Sequence, residues 1–166
     1  WNWRMLGLTG DARYADRLEL ILYNSALSSI SADGTKFFYA NPIRRMEGLH
    51  LHVKYGPKRW VQIKETCCPP NIARLLASLG QYVYSESRSE ACVHLYVEGR
   101  GELDVGGRQV VVEQKTGYPW KEKVAISVRP EETGEFTLAL RIPGWCMAPM
   151  LDVNGSAVAV SRNPKG

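Results

Sequence analysis

Apolar side chains recur every three or four positions in the first part of this chain, which is the spacing of one face of an α-helix. A first helix is predicted from Trp1 to Leu8, because Thr9-Gly10 is a helix-stop signal. Asp11 then caps a second predicted helix. The apolar face of that helix is expected to carry Tyr14, Leu18, Ile21, Leu22 and Ser25.

A third helix is predicted after the sequence Cys67-Cys68-Pro69-Pro70-Asn71 and is expected to end near Tyr84. Proline suits a first helical turn, because its missing N–H group would have no partner there. Either Cys68 or Asn71 is predicted as the N-cap. The apolar stripe of this helix consists of Ile72, Leu75, Leu76, Leu79 and Val83. Between the second and third helices, Phe37–Ala40 is a short extended run and residues 48–63 alternate weakly.

Beyond about Arg88 the pattern changes to an alternation of apolar and polar residues, which predicts β-strands. The alternating residues are Val93, Leu95 and Val97; Leu103 and Val105; Val110 and Val112; Val124, Ile126 and Val128; Phe136, Leu138 and Leu140. Asn154-Gly155 predicts a hairpin between Leu151–Val153 and Val158–Val160. Short strands with closely spaced turns predict an antiparallel β-sandwich. The chain is therefore of the α+β class, with its boundary between residues 86 and 90.

Composition adds limits to this picture. The 166 residues are 45% apolar, enough for a sizeable core, and length allows one domain or two small ones. The net charge of +4 comes from scattered basic residues, so a nucleic-acid partner is not expected. No run approaches the length of a membrane span, and no membrane partner is expected. No signal peptide opens the chain. Because the chain begins at Trp1, without an initiator methionine, we expect a piece of a longer protein.

Cys67 and Cys68 are the strongest chemical candidates. Neighbouring thiols at a helix start can bind a soft metal or act as a nucleophile, because the helix dipole favours the thiolate. A strained vicinal disulfide and a pair of inert buried thiols are the structural alternatives. Cys92 and Cys146 lie in strand-like segments and are expected in the core. Four cysteines are too few for a disulfide scaffold, which favours reduced thiols and a cytoplasmic or otherwise reducing compartment.

A zinc site complete within this chain is not indicated. Glu65, Cys67 and Cys68 are close in sequence, and His50 or His52 could add a fourth ligand. The spacing matches no compact zinc-finger pattern, so a site shared with ligands outside the chain is favoured.

Other polar and aromatic residues have ordinary structural explanations. Glu19 lies near the apolar stripe of the second helix, where a carboxylate is more often solvated than catalytic. Tyr39 is expected in the core or half-buried, and His94 outward or packed on its strand. Large aromatics more often fill the core than bind sugars. The tryptophans to which this applies are Trp60, Trp120 and Trp145.

A set of longer motifs spans nearly the whole chain. They are Trp3-Arg4-Met5-Leu6, Leu8-Thr9-Gly10-Asp11-Ala12-Arg13-Tyr14-Ala15-Asp16, Leu22-Tyr23-Asn24, Phe37-Phe38-Tyr39-Ala40-Asn41-Pro42, Cys67-Cys68-Pro69-Pro70-Asn71-Ile72-Ala73-Arg74, Thr116-Gly117-Tyr118-Pro119-Trp120 and Arg141-Ile142-Pro143-Gly144-Trp145. Together and in this order they closely resemble glycoside hydrolase family 127, typified by β-L-arabinofuranosidases. The resemblance implies the last helices of an (α/α)6 catalytic barrel in residues 1–88 and an incomplete β-sandwich domain in residues 89–166.

The resemblance also implies a retaining mechanism in which a zinc-bound cysteine thiolate replaces the usual carboxylate nucleophile. Cys67 matches the nucleophile, and Cys68 matches a second thiolate ligand of the same zinc ion. Glu19 and Tyr39 match residues that contact the bound sugar. The family's acid/base glutamate and its Glu-x-Cys zinc ligands would precede Trp1, and Glu65-Thr66-Cys67 is not assigned their role. This chain alone is therefore expected to be inactive.

The favoured interpretation is thus part of a glycosidase that acts on carbohydrate with a zinc cofactor. The first alternative is a non-catalytic β-sandwich module with a helical extension, which binds carbohydrate through exposed Trp120 or Trp145. The second alternative is a thiol redox protein that uses Cys67 and Cys68. The sequence carries no signal for the oligomeric state.

Overall fold

The protein is described by a computed structural model that covers residues 1–39, 59–61, 67–163 and 165, with the backbone alone at Arg59 and Trp60. The α-helices in these ranges are α1 (Asn2–Thr9), α2 (Ala12–Leu20) and α3 (Cys68–Ala77). The strands are β1 (Phe37–Phe38), β2 (Arg59–Trp60), β3 (Tyr84–Glu86), β4 (Glu90–Val93), β5 (Gly99–Val105), β6 (Arg108–Thr116), β7 (Val124–Pro130), β8 (Thr137–Leu140), β9 (Leu151–Val153) and β10 (Ser156–Val158). The predicted mixed α and β composition is confirmed.

The chain forms two compact units. The β-rich unit combines Trp1–Leu18 with Gly80–Gly166, and the smaller unit is Glu19–Leu79. Helix α1 and the part of α2 up to Leu18 therefore belong to the same unit as strands β3 to β10, although they are far from them in sequence. The predicted domain boundary near residue 88 stays a prediction.

Helix α1 ends where the sequence predicts. Gly10 has a φ of 66°, and its N–H donates to the carbonyl of Leu6 at 2.7 Å. This left-handed conformation is easy for glycine and stops the helix. At the start of α2, Asp11 Oδ1 accepts a hydrogen bond from the Arg13 N–H at 3.0 Å, which confirms the predicted cap.

The prediction of the buried face of α2 is wrong by about one residue: the buried positions lie one residue later in the sequence than predicted. Ala15 and Glu19 are the buried positions of α2, whereas Ile21, on the predicted face, is exposed. A π-helical turn, Ile21–Ala26, follows α2 directly. Because a π-turn holds more residues than an α-turn, it rotates the buried face and places Ala26 inside.

The smaller unit also contains a short strand pair and α3. Strand β1 pairs antiparallel with β2, and α3 packs beside β1. Helix α3 ends at Ala77, earlier than predicted, and a 3-10 turn, Leu79–Tyr82, follows it. The Ser78 N–H is shared between carbonyls of the preceding turn, which tightens the helix there. Of residues 48–63, which were predicted to alternate weakly, 48–58, 62 and 63 lie outside the described ranges, as does Ala40 of the predicted extended run.

The strands of the β-rich unit follow the predicted alternation. Strands β5, β6 and β7 form an antiparallel sheet. Strands β9 and β10 form the predicted hairpin, with positive φ at Asn154 (53°) and Gly155 (84°). In the third sheet, β3-β4-β8, strand β4 pairs antiparallel with β3 and parallel with β8. The expectation of purely antiparallel pairing is therefore wrong at β4 and β8, which are brought together by a crossover rather than by a hairpin.

The two three-stranded sheets contribute to one core. Its buried members are Ala91, Val93, Leu103, Val105, Val110 and Val112. Partly buried residues from β3, β7 and β8 pack against them. Within the ranges that the structure describes, no helix has the length and apolar character needed to cross a bilayer.

Candidate active-site residues

The prolines at the start of α3 leave the Cys67 side chain without a capping bond. Cys67 is the N-cap residue, so the predicted caps, Cys68 and Asn71, are wrong. An N-cap side chain normally accepts hydrogen bonds from the second or third helical N–H group, but those positions are Pro69 and Pro70. With no donor to accept from, the Cys67 thiol makes no capping bond.

A backbone contact fixes the position of Cys67. Its carbonyl oxygen accepts hydrogen bonds from both the Asn71 N–H, at 3.2 Å, and the Asn71 side-chain amide, at 2.8 Å. Asn71 therefore holds the turn through the carbonyl of Cys67 rather than through its sulfur.

The two thiols lie side by side. The Sγ atoms of Cys67 and Cys68 are 3.4 Å apart, with Cys67 exposed and Cys68 half-buried. A disulfide would require about 2.05 Å, so both residues are free thiols, as are Cys92 and Cys146. Both of the latter are half-buried, and burial raises the pKa of the Cys92 thiol, with the nearby Glu90 charge adding to the shift. A reactive thiolate is accordingly disfavoured at Cys92.

The sulfur pair fits part of a zinc site. Two thiolates about 2.3 Å from a tetrahedral zinc ion are separated by about 3.8 Å, close to the spacing seen here. In the described part of the chain, no group of three or more histidine, cysteine or acidic side chains comes together as a metal site. The other sequence candidates, Glu65, His50 and His52, lie outside the described residues. The assignment of Cys67 and Cys68 as zinc ligands stays a prediction.

Tyr39 is close in sequence to a strand that contacts α3. It directly follows β1, which packs beside the helix that begins after Cys67. The side chain is half-buried, as expected for a tyrosine after two phenylalanines.

Glu19 differs from the ordinary expectation for a helix carboxylate. It is only 7% exposed in the last turn of α2, so it is buried rather than solvated. Burial of a carboxylate is costly unless polar groups hydrogen-bond to it. Glu19 and Tyr39 belong to the same compact unit as the two thiols. Their contacts with a sugar stay predictions.

Two tryptophans of the β-rich unit also depart from expectation. Trp120 is 92% exposed and Trp145 is 65% exposed, so neither fills the core of this chain. Trp120 stands on a turn closed by its N–H bond to the Gly117 carbonyl, at 3.0 Å. The ring of Trp145 is stacked on Tyr118, with centroids 6.2 Å apart and an interplanar angle of 18°. Both rings are thus presented by ordered turns.

His94 is packed against other residues, which is one of the two placements predicted for it. Its Nε2 is hydrogen-bonded to Ser85 Oγ at 2.7 Å, and its ring contacts Trp3 edge to face. Burial, together with the nearby Arg141 charge, lowers the pKa of His94 from 6.5 to about 4. A neutral imidazole held in this way is structural.

No role was assigned from the sequence to an ion pair between Asp16 and Arg141, whose arginine side chain is 2% exposed. Arg141 Nη1 donates to Asp16 Oδ1 at 2.5 Å. The signal was present, since each residue lies in one of the motifs that carry the family resemblance. Their separation of 125 positions hid the pairing.

Comparison with known proteins covers nearly the whole chain. Residues 1–81 match the family model of the beta-L-arabinofuranosidase GH127 catalytic domain, and residues 90–166 match that of the GH127 middle domain. A curated relative from Bifidobacterium longum subsp. longum, a non-reducing end beta-L-arabinofuranosidase, is 34% identical over 163 residues. That match covers 92% of this chain and 24% of the relative.

Solved structures show the same likeness. The crystal structure of a GH127 beta-L-arabinofuranosidase from Geobacillus stearothermophilus T6 is 44% identical, with a TM-score of 0.86. A GH127 beta-arabinofuranosidase is 33% identical, with a TM-score of 0.81. These matches cover 96% and 98% of this chain, and 26% and 27% of the respective relatives. The chain thus spans about a quarter of the length of the relatives it matches, and it belongs to glycoside hydrolase family 127, across the end of the catalytic domain and the middle domain.

Proposed function

We propose that this chain is part of a retaining glycosidase that releases β-L-arabinofuranose or a related sugar from a glycan. The observation that carries the proposal is the free Cys67–Cys68 pair, with sulfur atoms 3.4 Å apart at the start of α3 in a family 127 chain. The names of the relatives support the sugar class.

The proposed architecture is the end of an (α/α)6 barrel followed by a β-sandwich. Helices α1 to α3 lie within the range that matches the catalytic domain, which supports the first part. Two three-stranded sheets that share one core support the second part. Residues 1–88 and 89–166 are proposed as the two domain portions.

In the proposed site, Cys67 and Cys68 hold a zinc ion together with ligands from outside this chain. Zinc, when bound, keeps thiols deprotonated at neutral pH, so that no separate base has to generate the thiolate. The proline-rich helix start contributes by leaving the Cys67 sulfur without a capping bond. The exposure of Cys67 leaves its sulfur accessible to a substrate.

Cys67 is proposed as the nucleophile. Its sulfur forms a bond to the anomeric carbon while the bond from that carbon to the leaving oxygen breaks. The leaving oxygen takes a proton from an acid that we assign to a residue outside this chain, and water completes the second displacement. Because that acid and the remaining zinc ligands lie elsewhere, this chain alone is proposed to be inactive.

Glu19 and Tyr39 are proposed to bind the sugar. A carboxylate can accept hydrogen bonds from sugar hydroxyl groups, and a phenol can both donate and accept. The burial of Glu19 supports this role, since a desolvated carboxylate interacts more strongly with a hydroxyl than a solvated one does.

The test is a Cys67→Ser substitution in the full-length protein. We expect turnover of an aryl β-L-arabinofuranoside to fall by at least about a thousandfold, because the serine hydroxyl is not ionised at neutral pH. Cys92→Ser is the matched control, because Cys92 is a half-buried thiol in the other unit, and it should keep near-normal turnover. Near-normal turnover of Cys67→Ser would contradict the assignment.

The exposure of Trp120 and Trp145 favours a second candidate function, a non-catalytic carbohydrate-binding module. Exposed aromatic rings offer flat apolar faces on which sugars can stack. If this candidate is right, Trp120→Ala should lower the affinity for arabinose-containing glycans in affinity electrophoresis, whereas Met150→Ala, at an equally exposed position, should not. If Trp120→Ala lowers the melting temperature but leaves glycan affinity unchanged, the ring packs against protein and the candidate is wrong.

A further inference from the structure

Asp16, in the middle of α2, is held by two donors from the segment after β8. Arg141 Nη1 donates to Asp16 Oδ1 at 2.5 Å, and the Gly144 N–H donates to Asp16 Oδ2 at 3.1 Å. Both carboxylate oxygens are thus engaged. The Arg141 side chain is 2% exposed and that of Asp16 is 33% exposed, so this is a largely desolvated pair.

Arg141, the partner of Asp16 in this pair, is held in place by residues at the end of β4. Arg141 Nε donates to the His94 carbonyl at 2.5 Å, and the Arg141 N–H donates to the Val93 carbonyl at 3.1 Å. The Tyr96 hydroxyl donates to the Arg141 carbonyl. The Arg141 backbone is therefore fixed beside the end of β4, and turning the guanidinium away would break its bond to the His94 carbonyl.

Gly144 is required by the close approach. A Cβ atom at this position would lie 2.8 Å from Asp16 Oδ2, nearer than real side chains allow. Any larger residue would displace the carboxylate or lengthen its bond to the backbone N–H group. Gly144 thus completes a socket for Asp16, made of Arg141 and the turn at residues 141–144.

This socket holds the middle of α2 through Asp16. A second bond holds the helix start, where the Ala12 N–H donates to the Lys165 carbonyl at 2.7 Å. Glu19 follows Asp16 by three residues in the same helix, and positions three apart share a helix face. A rotation of α2 that broke the Asp16 contacts would move Glu19 as well.

We propose that Asp16, Arg141 and Gly144 form a positioning site through which the middle domain sets the orientation of Glu19 for the sugar. The inference rests on the proposed function, in which Glu19 binds substrate. A buried ion pair adds little net stability compared with an apolar pair of similar size, but its paired donors and acceptors impose one geometry. Orientation is therefore the property that such a pair supplies.

The test is a double-mutant cycle in the full-length protein with an aryl β-L-arabinofuranoside as substrate. Asp16→Asn keeps the size of the side chain but removes its charge, and Glu19→Gln removes the charge that strengthens the proposed sugar contact. We expect Asp16→Asn to lower kcat/KM by about 10- to 100-fold when Glu19 is present, because a small displacement of a binding group is costly. In the Glu19→Gln background the same change should cost less than about 3-fold.

A merely structural role gives a different result. Asp16→Asn would then lower the melting temperature and reduce kcat/KM by the same factor in both backgrounds, which would overturn the inference. A Glu19→Gln variant with full activity would overturn it too. Arg100→Lys alters an exposed pair with Glu102 and should leave kcat/KM unchanged.

A second variant keeps the inference testable if Asp16→Asn does not fold. Arg141→Lys retains the positive charge but cannot donate to both Asp16 and the His94 carbonyl, so the same cycle applies. Cys67→Ser separates this inference from the proposed function. An active Cys67→Ser enzyme rejects the proposed mechanism, whereas an inactive one, combined with equal losses in both Glu19 backgrounds, rejects only the positioning site.

Discussion

The sulfur atoms of Cys67 and Cys68 lie 3.4 Å apart, too far for a disulfide and close to the spacing of two thiolates on one tetrahedral metal ion. The Cys67 sulfur makes no capping bond, because Pro69 and Pro70 supply no N–H donors to the first turn. Both residues are reduced here, and the redox hypothesis requires them to oxidise reversibly.

The first prediction concerns the thiol state of the purified protein. All four cysteines of residues 1–166 should react with an alkylating reagent after denaturation without a reductant, because all four are free. Mass spectrometry of the peptide with Cys67 and Cys68 should show two alkyl groups, with no increase after prior reduction. A pair that becomes alkylated only after reduction would support the redox alternative. A reducing compartment stays a prediction.

The second prediction concerns metal content. In the full-length protein, Cys68→Ser should lower bound zinc to well below one equivalent, because the metal loses one of two thiolate ligands in this chain. Zinc is measured by elemental analysis after dialysis. Cys146→Ser, which alters a thiol in the other unit, should keep the wild-type zinc content. Equal zinc in Cys68→Ser and the wild type would remove Cys68 from the ligand set.

The third prediction concerns the core of the two sheets. Val110 on β6 is fully buried, so Val110→Ala should lower the free energy of unfolding by about 2 kcal/mol through lost burial and a small cavity. Val158→Ala on β10 is the control, because Val158 is 44% exposed, and the change should cost less than about 0.5 kcal/mol. Urea unfolding measures both. Similar losses at the two positions would mean that the core is placed wrongly.

The fourth prediction concerns acid sensitivity. The pKa of His94 is lowered from 6.5 to about 4 in the folded protein, first by burial and then by the Arg141 charge. Between these values the unfolded chain binds a proton that the folded chain does not, so stability is present above about pH 6.5 and is lost as the pH falls toward 4. The loss from this group should be about 3 kcal/mol by pH 4.

The matched variant for this effect is His94→Gln, which keeps a polar group near Ser85 but cannot be protonated. Carboxylates add to acid unfolding in both proteins, so the difference between their urea-unfolding curves at several pH values isolates His94. The wild type should lose more stability than His94→Gln on going from about pH 7 to about pH 4. Parallel losses would show that His94 is not buried in its neutral form.

Local signals in the sequence were sufficient for much of the fold. Thr9-Gly10 ends α1, Asp11 caps α2, and Asn154-Gly155 closes the last hairpin, because each depends on backbone conformations that neighbouring residues control. The motifs likewise sufficed to identify the family, and they located Cys67 and Cys68 at a helix start.

Tertiary structure alone decided which distant residues meet. The parallel pairing of β4 with β8, the burial of Glu19 and the contact of Asp16 with Arg141 all join segments whose separation leaves no periodic trace in the sequence. Such contacts depend on how helices and sheets pack to bury apolar area, and local spacing does not encode that packing. The sequence by itself determined the family, the cysteine pair and the local turns. The tertiary structure decided which buried charges meet. A buried charge is stable only where it is paired, and here the partner comes from a distant part of the chain.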